Sequence, residues 1–189
     1  MHSSKFKIQI PVILPLTLIL IVSFSLPGKL FAASAEEINI EVGATLKRFR
    51  EEITGGSQFL AKAKGALVFP SIIKAGFGIG GEYGEGALRI GGKTVAYYST
   101  AAASFGFQLG AQSKSLVLVF LTQKSLSDFR KSDGWKAGVD GSVALVEWGK
   151  GEDINSVDIK DSIVGFVFNN KGLMYNLTIE GSKFTQIER

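Results

Sequence analysis

Few side chains in this 189-residue sequence could perform acid–base or nucleophilic chemistry. Its one histidine, His2, lies near the start of the chain, and there is no cysteine. This composition removes the most common general base at neutral pH, the thiol nucleophile and most zinc or copper ligand sets. Of the carboxylates, Glu82 and Glu85 lie three residues apart on a predicted strand and therefore point to opposite faces. The sequence thus predicts no catalytic residues, no metal site and no cofactor, and so a protein that is not an enzyme.

A glycine-rich stretch at residues 75–92, AGFGIGGEYGEGALRIGG, contains the spacing Gly-x-Gly-x-x-Gly at Gly76, Gly78 and Gly81. In a dinucleotide-binding fold, a helix begins at the third glycine and directs its backbone N–H groups at the pyrophosphate. Here Gly84 and Gly86 follow at alternate positions, so we expect a strand and not a helix. No Lys-Ser or Lys-Thr pair follows the glycines, which also argues against a Walker-type phosphate loop.

As a strand, this stretch has one face almost without side chains. Five glycines alternate with larger residues: Gly76, Gly78, Gly80, Gly84 and Gly86 on one face, and Ala75, Phe77, Ile79, Tyr83 and Ala87 on the other. A strand omits side chains where another group already fills the space. We therefore expect a packed helix or a sharply curved sheet against this face, with a slot for an apolar ligand as the alternative.

The first 35 residues have the features of an export signal. Two lysines near the start precede an apolar run at 8–26, and the sequence Ala-Ser-Ala at 33–35 fits a small-residue cleavage site. We predict cleavage after Ala35, which leaves 36–189 as a single domain in the periplasm or elsewhere in the cell envelope. The alternative is an uncleaved membrane anchor, because the apolar run approaches the roughly 20 residues that span a bilayer.

The formal charge of +4 does not indicate a nucleic-acid partner. Three of the 21 basic residues belong to the first 35 positions, which contain no Asp or Glu, so 18 basic residues remain against 17 acidic ones. A net charge of +1 gives no general attraction for a polyanion. Any anion must therefore be bound by a local patch.

The rest of the chain divides into a helical part and a strand part. From residue 36, apolar residues recur at helical spacing: Ile38, Val42, Leu46, Phe49 and Ile53. A second short helix is predicted at 57–63, a third at 125–131, and a hairpin turn at 169–172. Besides the glycine-rich stretch, period-two strands are predicted at 66–69, 94–99, 102–111, 115–122, 139–148, 162–168 and 173–179. This order predicts an α+β fold, with N-terminal helices packed on a curved, mostly antiparallel, glycine-rich sheet of six to eight strands.

Five stretches in a fixed order resemble the SYLF domain, the lipid-binding domain of the yeast actin-patch protein family and its bacterial relatives. They are KGALVFP at 64–70, KAGFGIGG at 74–81, YGEG at 83–86, GFQLGAQ at 106–112 and WKAGVDGSVA at 135–144. The resemblance extends from about Leu60 to the C-terminus. It implies a binding module: eukaryotic members bind phosphoinositides through basic residues and an amphipathic N-terminal helix, and yeast members also bind actin. Exported bacterial members are regarded as phospholipid binders of the cell envelope.

The resemblance implies a phospholipid or membrane-surface partner and no nucleic acid. The candidates for contact with its head groups are the basic residues near the predicted helix–sheet junction: Lys47, Arg48, Arg50, Lys62, Lys64 and Lys74. The candidates for contact with its acyl chains are Phe49, Phe59, Phe77 and Tyr83, although such residues more often belong to a core.

This chain departs from many exported members of the family because it has no cysteine to carry a lipid. Any membrane contact must therefore be made by the domain itself. We expect an exported, non-enzymatic module that binds anionic phospholipid or a related amphiphile in the cell envelope. The alternative is a structural or protein-interaction module of the envelope with no lipid ligand.

Overall fold

The fold comes from a computed structural model of the chain. It describes residues 32–147, 160–172, 179 and 181–189, without the side chains of 77, 78, 104–110, 147 and 172. Most of the predicted export segment, up to residue 31, lies outside the described residues, as do positions 173–178 of the last predicted strand.

The first helix, α1, spans Ala35–Glu52 and begins with a capping box. The Ser34 hydroxyl oxygen accepts a hydrogen bond from the Glu37 backbone N–H at 3.2 Å, and the Glu37 carboxylate accepts one from the Ser34 backbone N–H at 2.7 Å. These bonds satisfy donors that lack partners within the helix. The bond from the Ser34 N–H, together with one that the Ser34 hydroxyl donates to the same carboxylate, holds the pKa of Glu37 below its ordinary value. Cleavage after Ala35 would remove this cap.

The apolar stripe of α1 lies against the sheet, as its spacing predicts. Its members from Ile38 to Ile53 are all buried and share one core cluster with Val68 and Phe166 of the sheet. A second helix, α2, spans Gly56–Lys62, close to the predicted range. It begins after Gly55, which has a left-handed φ of 81°, and not at a side-chain cap on Ser57.

Two long strands dominate the sheet: β1 at Gly65–Ile90 and β2 at Lys93–Phe120. They pair antiparallel along their length, and the pair is called the β1–β2 ribbon. The turn between them consists of Gly91 and Gly92, whose φ values of 56° and 79° are disfavoured for other residues. The sequence predicts several shorter strands over this range. The structure joins them into two.

Pro70 does not end β1, as the sequence predicts it should. The pairing register with β2 shifts between Phe69 and Ile72, so Pro70 sits at a bulge. A proline at a bulge withdraws no hydrogen bond from the ladder, and the strand can continue beyond it. A second shift lies between Phe77 and Ile79, near the middle of the ribbon.

After β2 come α3 at Gln123–Lys131 and four shorter strands. These are β3 at Trp135–Lys136, β4 at Ala144–Glu147, β5 at Ile163–Gly172 and β6 at Lys183–Ile187. The second edge of β2 pairs antiparallel with β6 near one end and with β5 near the other. β3 pairs antiparallel with β6, and β4 runs parallel to β5. The described strands form one six-stranded sheet. The predicted α+β fold, with helices before a curved, mostly antiparallel sheet, is confirmed.

The hairpin turn predicted at 169–172 is wrong, because β5 continues through it to Gly172. The register of β5 with β2 shifts between Ser113 and Ser115, opposite this stretch. Asn169 takes a left-handed φ of 55° there. Asparagine tolerates this conformation, as the prediction assumed, but here the conformation forms a bulge within a strand and not a turn.

The sheet carries a core on each face. One lies under α1 and α2, and the other contains Leu118 and Phe120 of β2 packed against Phe129 of α3 and Trp135 of β3. The Phe129 ring centroid lies 5.0 Å from that of Phe120 and 5.6 Å from that of Trp135. Because both faces are covered, β2 reads as a continuous apolar run, LVLVF, at 116–120.

Tyr98 lies in the second core and is expected to make stability sensitive to alkaline pH. Its side chain is buried, and burial raises the pKa of its hydroxyl above the ordinary 10.0. The unfolded chain releases this proton first, so the free energy of unfolding is unaffected below about pH 10 and falls as the pH rises further. We expect Tyr98→Phe to flatten this decline in urea unfolding midpoints measured from about pH 8 to about pH 11. A decline identical to that of the parent protein would contradict this assignment.

Candidate functional site

The β1–β2 ribbon curls, with the glycine face of β1 on its concave side. A Cβ placed on Gly84 would lie 2.7 Å from the Ser71 carbonyl oxygen, and one placed on Gly86 would overlap the Val68 carbonyl oxygen. The group that fills the space beside the bare face is therefore the ribbon itself, which is the curved-sheet alternative. β1 continues as a strand through Gly81, as the period-two spacing of the glycines predicts.

Three charged side chains are buried together on the concave side and are called the concave cluster. The Lys114 Nζ lies 2.8 Å from one oxygen of the Glu82 carboxylate, and the Lys74 Nζ lies 3.4 Å from the other. Each side chain is at most 8% exposed. The Lys114 contact lacks hydrogen-bond geometry, so it is an ion pair only. One carboxylate therefore balances two buried ammonium groups.

Three large apolar side chains are exposed on the opposite, convex side of the ribbon. Ile73, Ile79 and Tyr83, called the convex apolar residues, have exposed fractions of 56%, 69% and 50%. Small exposed residues lie on the same side, next to them in the sheet register: Ala75, Gly81, Ala101, Ala103 and Ala111. Apolar side chains that share one face without cover are typical of a contact surface.

A pocket of about 290 Å³ lies where α1, α2 and the turn of the ribbon meet, and it is called the arginine pocket. Its lining combines apolar side chains, two arginines and a turn glycine: Leu46, Arg50, Leu60, Ala63, Arg89 and Gly92. No acidic side chain of the described residues lines it. The pocket is therefore apolar on one part of its wall and cationic on another.

Arg89 is held in the arginine pocket by uncharged partners. Its guanidinium donates to the Gly92 carbonyl oxygen and, at 3.3 Å, to the Thr94 hydroxyl. Thr94 donates to Asn39 at 2.6 Å, and Asn39 donates to the Tyr97 hydroxyl at 2.8 Å, which ties this end of the ribbon to α1. The Arg89 Nε is buried and has no acceptor among the residues that the structure describes. Part of this guanidinium is therefore unsatisfied.

Two of the six predicted basic residues are paired on the surface of α1. Lys47 lies 3.8 Å from Glu51 and Arg48 lies 3.7 Å from Glu52, both at the i,i+4 spacing. Exposed pairs of this kind contribute little to stability. They do reduce the net positive charge that either residue offers to an anion.

The other four predicted basic residues occupy two different places. Arg50 lines the arginine pocket, and the exposed Lys62 and Lys64 flank its lining residue Ala63 in the sequence. Lys74 does not lie with them, because it is buried in the concave cluster. The structure therefore brings Arg50, Lys62 and Lys64 to one region and separates Lys74 from it.

The four predicted apolar contacts also have different environments. Phe49 is fully buried, with its ring centroid 5.0 Å from that of Phe166, and the partly buried Phe59 packs on the same ring at 5.4 Å. Tyr83 is exposed on the convex side. The Phe77 side chain lies outside the described residues. Phe49 and Phe59 thus pack in the core under the helices, and Tyr83 is the one described member of this group with an exposed side chain.

Sequence reasoning missed Arg89, Ile73 and Ile79. The sequence did contain a signal for Arg89. This residue lies two positions after Ala87, on the strand face that α1 covers, and just before the Gly91–Gly92 turn. A charge at such a position needs a specific partner or contact with water. The two isoleucines had no such signal, because their exposure depends on where the covering helices end.

Two further features concern only the described ranges of the chain. Within them, no group of three or more His, Cys, Asp or Glu side chains could hold a metal ion. No helix in the same ranges is both long enough and apolar enough to cross a bilayer. The predicted lack of a metal site stays a prediction.

Comparison with known proteins relates the second half of the chain to a described family. The family model Ysc84, described as "Las17-binding protein actin regulator", matches residues 101–189. The chain is also 30% identical over 129 residues to the SH3 domain-containing YSC84-like protein 1 of Rattus norvegicus and of Mus musculus. The aligned part is 65% of this chain and 37% of each relative, so the chain spans little more than a third of the length of the curated relatives it matches.

The family match begins beyond the residues that line the arginine pocket, and it includes two of the five stretches that carry the predicted resemblance, 106–112 and 135–144. That resemblance is confirmed. Residues 101–189 thus match the Ysc84 (SYLF) family model, and the resemblance to the SYLF domain is shown over that part of the chain.

Proposed function

We propose that residues 36–189 act, after export, as a non-enzymatic module that binds anionic phospholipid or a related amphiphile in the cell envelope. The observation that carries this proposal is the exposure of Ile73, Ile79 and Tyr83 on one convex face. Burying an isoleucine or aromatic side chain in an apolar phase stabilises the bound state by about 1.5–3 kcal/mol. A side chain that is about half exposed gains only part of this free energy on binding, because the rest of it is already buried. Three such side chains together still suffice for reversible membrane contact.

Electrostatic attraction supports the same function from a second part of the surface. Arg50, Lys62 and Lys64 form no ion pair with any described residue, and Arg89 lies in the neighbouring arginine pocket. A basic residue near an anionic membrane contributes about 1 kcal/mol, and added salt screens this term. The proposed binding therefore combines an apolar contribution with one that weakens as the ionic strength rises.

The proposed location in the envelope rests on the first 35 residues, with their lysines, apolar run and Ala-Ser-Ala sequence. Retention of this segment as an anchor is the other outcome. Mass spectrometry of the protein from its own envelope distinguishes the two, because a mature N-terminus at Glu36 requires cleavage.

A protein-interaction module is the second candidate function. It is favoured by the description of the matching family as a Las17-binding actin regulator. Exposed apolar side chains on a strand face can contact a protein as well as a lipid. In that case the convex face would not bind vesicles.

Vesicle binding by substituted proteins tests the lipid proposal. We expect Ile79→Ser to weaken binding to vesicles of phosphatidylcholine with about 30% phosphatidylglycerol by about tenfold, since a side chain worth roughly 1.5 kcal/mol leaves the bilayer. Co-sedimentation measures this loss. Ile40→Ser is the matched control, because Ile40 is 64% exposed on α1 and is not one of the convex apolar residues. This variant should bind as the parent does. Equal binding by the parent and Ile79→Ser proteins, or no binding by the parent, would contradict the proposal.

A further inference from the structure

We infer that the concave cluster binds one small monovalent anion, of the size of chloride, beside the Lys114 ammonium group. The site lies on the opposite side of the ribbon from the convex apolar residues, so this inference does not depend on the proposed lipid-binding function. Two ammonium groups, those of Lys74 and Lys114, contact a single carboxylate, that of Glu82. One halide ion would make the cluster electrically neutral.

The charge balance of the cluster is the first argument. All three of its side chains are at most 8% exposed. Among the described residues, no second carboxylate lies within ion-pair distance of the Lys74 or the Lys114 nitrogen. A buried charge that lacks a counter-charge is strongly unfavourable, and an anion from solution removes this penalty.

The unused donors of Lys114 are the second argument. Its Nζ is buried and donates no hydrogen bond to any described residue, although an ammonium group has three donors. Gln112 lies two residues away on the same face of β2, and its buried Oε1 has no donor within the same ranges of the chain. A hydrated anion satisfies both atoms, since the anion accepts from Lys114 and its water donates to Gln112.

The tight closure of the ribbon is the third argument, because it limits the size of the anion. On one side of the cluster, a Cβ placed on Gly76 would overlap the Cα of Gly80. On the other side, one placed on Gly84 would lie 2.7 Å from the Ser71 carbonyl oxygen. Backbone packed this closely keeps out a group as large as a phosphate ester, whereas a single ion can enter during small local openings. One surplus positive charge also matches a monovalent anion and not a divalent one.

Thermal unfolding in two sodium salts tests the inference in solution. The full-length gene product, processed in its own host, is heated in about 0.2 M sodium chloride and in sodium gluconate of the same ionic strength, so that surface charges are screened equally. Gluconate is too large to enter the cluster. We expect chloride to raise the unfolding midpoint by about 4 °C, the shift for an anion at roughly ten times its Kd in a domain of this size.

Two lysine variants show whether this shift comes from the concave cluster. Lys114→Met should abolish it and still fold, because Lys74 keeps its ion pair with Glu82. Lys93→Met is the matched control, since Lys93 is an exposed lysine of the same strand, and this variant should keep the shift. Equal midpoints of the parent in the two salts, or an unchanged shift in Lys114→Met, would mean that the cluster binds no anion and would overturn the inference.

Crystals grown in sodium bromide locate the anion directly, and they decide the question even if Lys114→Met fails to fold. The anomalous signal of bromide should give a peak within about 3.5 Å of the Lys114 Nζ. Peaks on the protein surface alone would indicate an adventitious ion only. That result would overturn the inference whatever the unfolding midpoints show.

Discussion

Replacing Glu82 by glutamine is expected to lower the free energy of unfolding by about 3–5 kcal/mol. Glu82 is the one carboxylate of the concave cluster, and its two oxygens lie 2.8 Å from Lys114 and 3.4 Å from Lys74. Glutamine has nearly the same shape, so the packing of the ribbon is retained. Two buried ammonium groups would lose the charge that balances them, and a buried charge without a partner is strongly destabilising. Urea unfolding of the parent and the variant at neutral pH measures the difference.

Glu51→Gln on α1 is the control that separates the effect of burial from the effect of losing a carboxylate charge. Glu51 pairs with Lys47 on the exposed side of the helix, with both side chains more than half exposed. Its loss should change the free energy of unfolding by no more than about 0.5 kcal/mol. Adding Lys114→Met to Glu82→Gln should recover part of the stability, because one of the two unbalanced charges is then gone. Equal effects of Glu82→Gln and Glu51→Gln would mean that the concave cluster is hydrated.

The local elements could be predicted from the sequence because their signals are local. The stripe from Ile38 to Ile53 has helical spacing, and the structure buries it on the sheet. The length of β1 could not be predicted in the same way. Whether a strand passes through Pro70 depends on the pairing register of β2, about 45 residues further along the chain. The same holds for Asn169, whose left-handed backbone lies in a bulge set by Ser113 and Ser115 of the partner strand.

Prediction of the candidate site was limited by curvature. Arg50 and Lys74 look alike in the sequence, as basic residues near the junction of helices and sheet. The curl of the ribbon places Lys74 inside, against Glu82, while the end of α1 places Arg50 in a pocket. The bare glycine face predicted close packing correctly. It could not say that the packing partner would be the same strand, because that depends on where the strand bends.

The curl also explains why one ribbon carries both buried charge and exposed apolar groups. Alternation sends neighbouring residues such as Ile73 and Lys74 to opposite sides. In a flat sheet both would meet water or a covering layer. In a curled one the concave side closes on itself, while the part of the convex side that the N-terminal helices do not cover stays open, so lysine is buried and isoleucine exposed. The convex surface proposed for lipid contact therefore exists only while the glycines permit the curl.

Substituting Gly86 by alanine is accordingly expected to destabilise the fold by about 3 kcal/mol. The new Cβ would overlap the Val68 carbonyl oxygen, and backbone cannot move aside as a flexible side chain can. Relief requires the two parts of β1 to separate, which opens the second core beside Leu88. Overpacking in a rigid interior costs typically 1–3 kcal/mol, and a clash between two stretches of backbone lies at the upper end of that range. Thermal and urea unfolding both measure the loss.

Gly81→Ala separates the clash from the general effect of replacing a strand glycine. Gly81 lies on the same strand, but a Cβ there would meet only the Ala102 carbonyl oxygen, at 3.7 Å, an ordinary contact. Alanine also restricts the unfolded chain more than glycine does, so this variant should be neutral or slightly more stable. If both variants unfold at the urea concentration of the parent, the ribbon has room at Gly86, and tight closure cannot be what keeps Lys74 inside and Ile79 outside. If Gly86→Ala alone is destabilised and also loses vesicle binding, the curl is the device that presents the convex face.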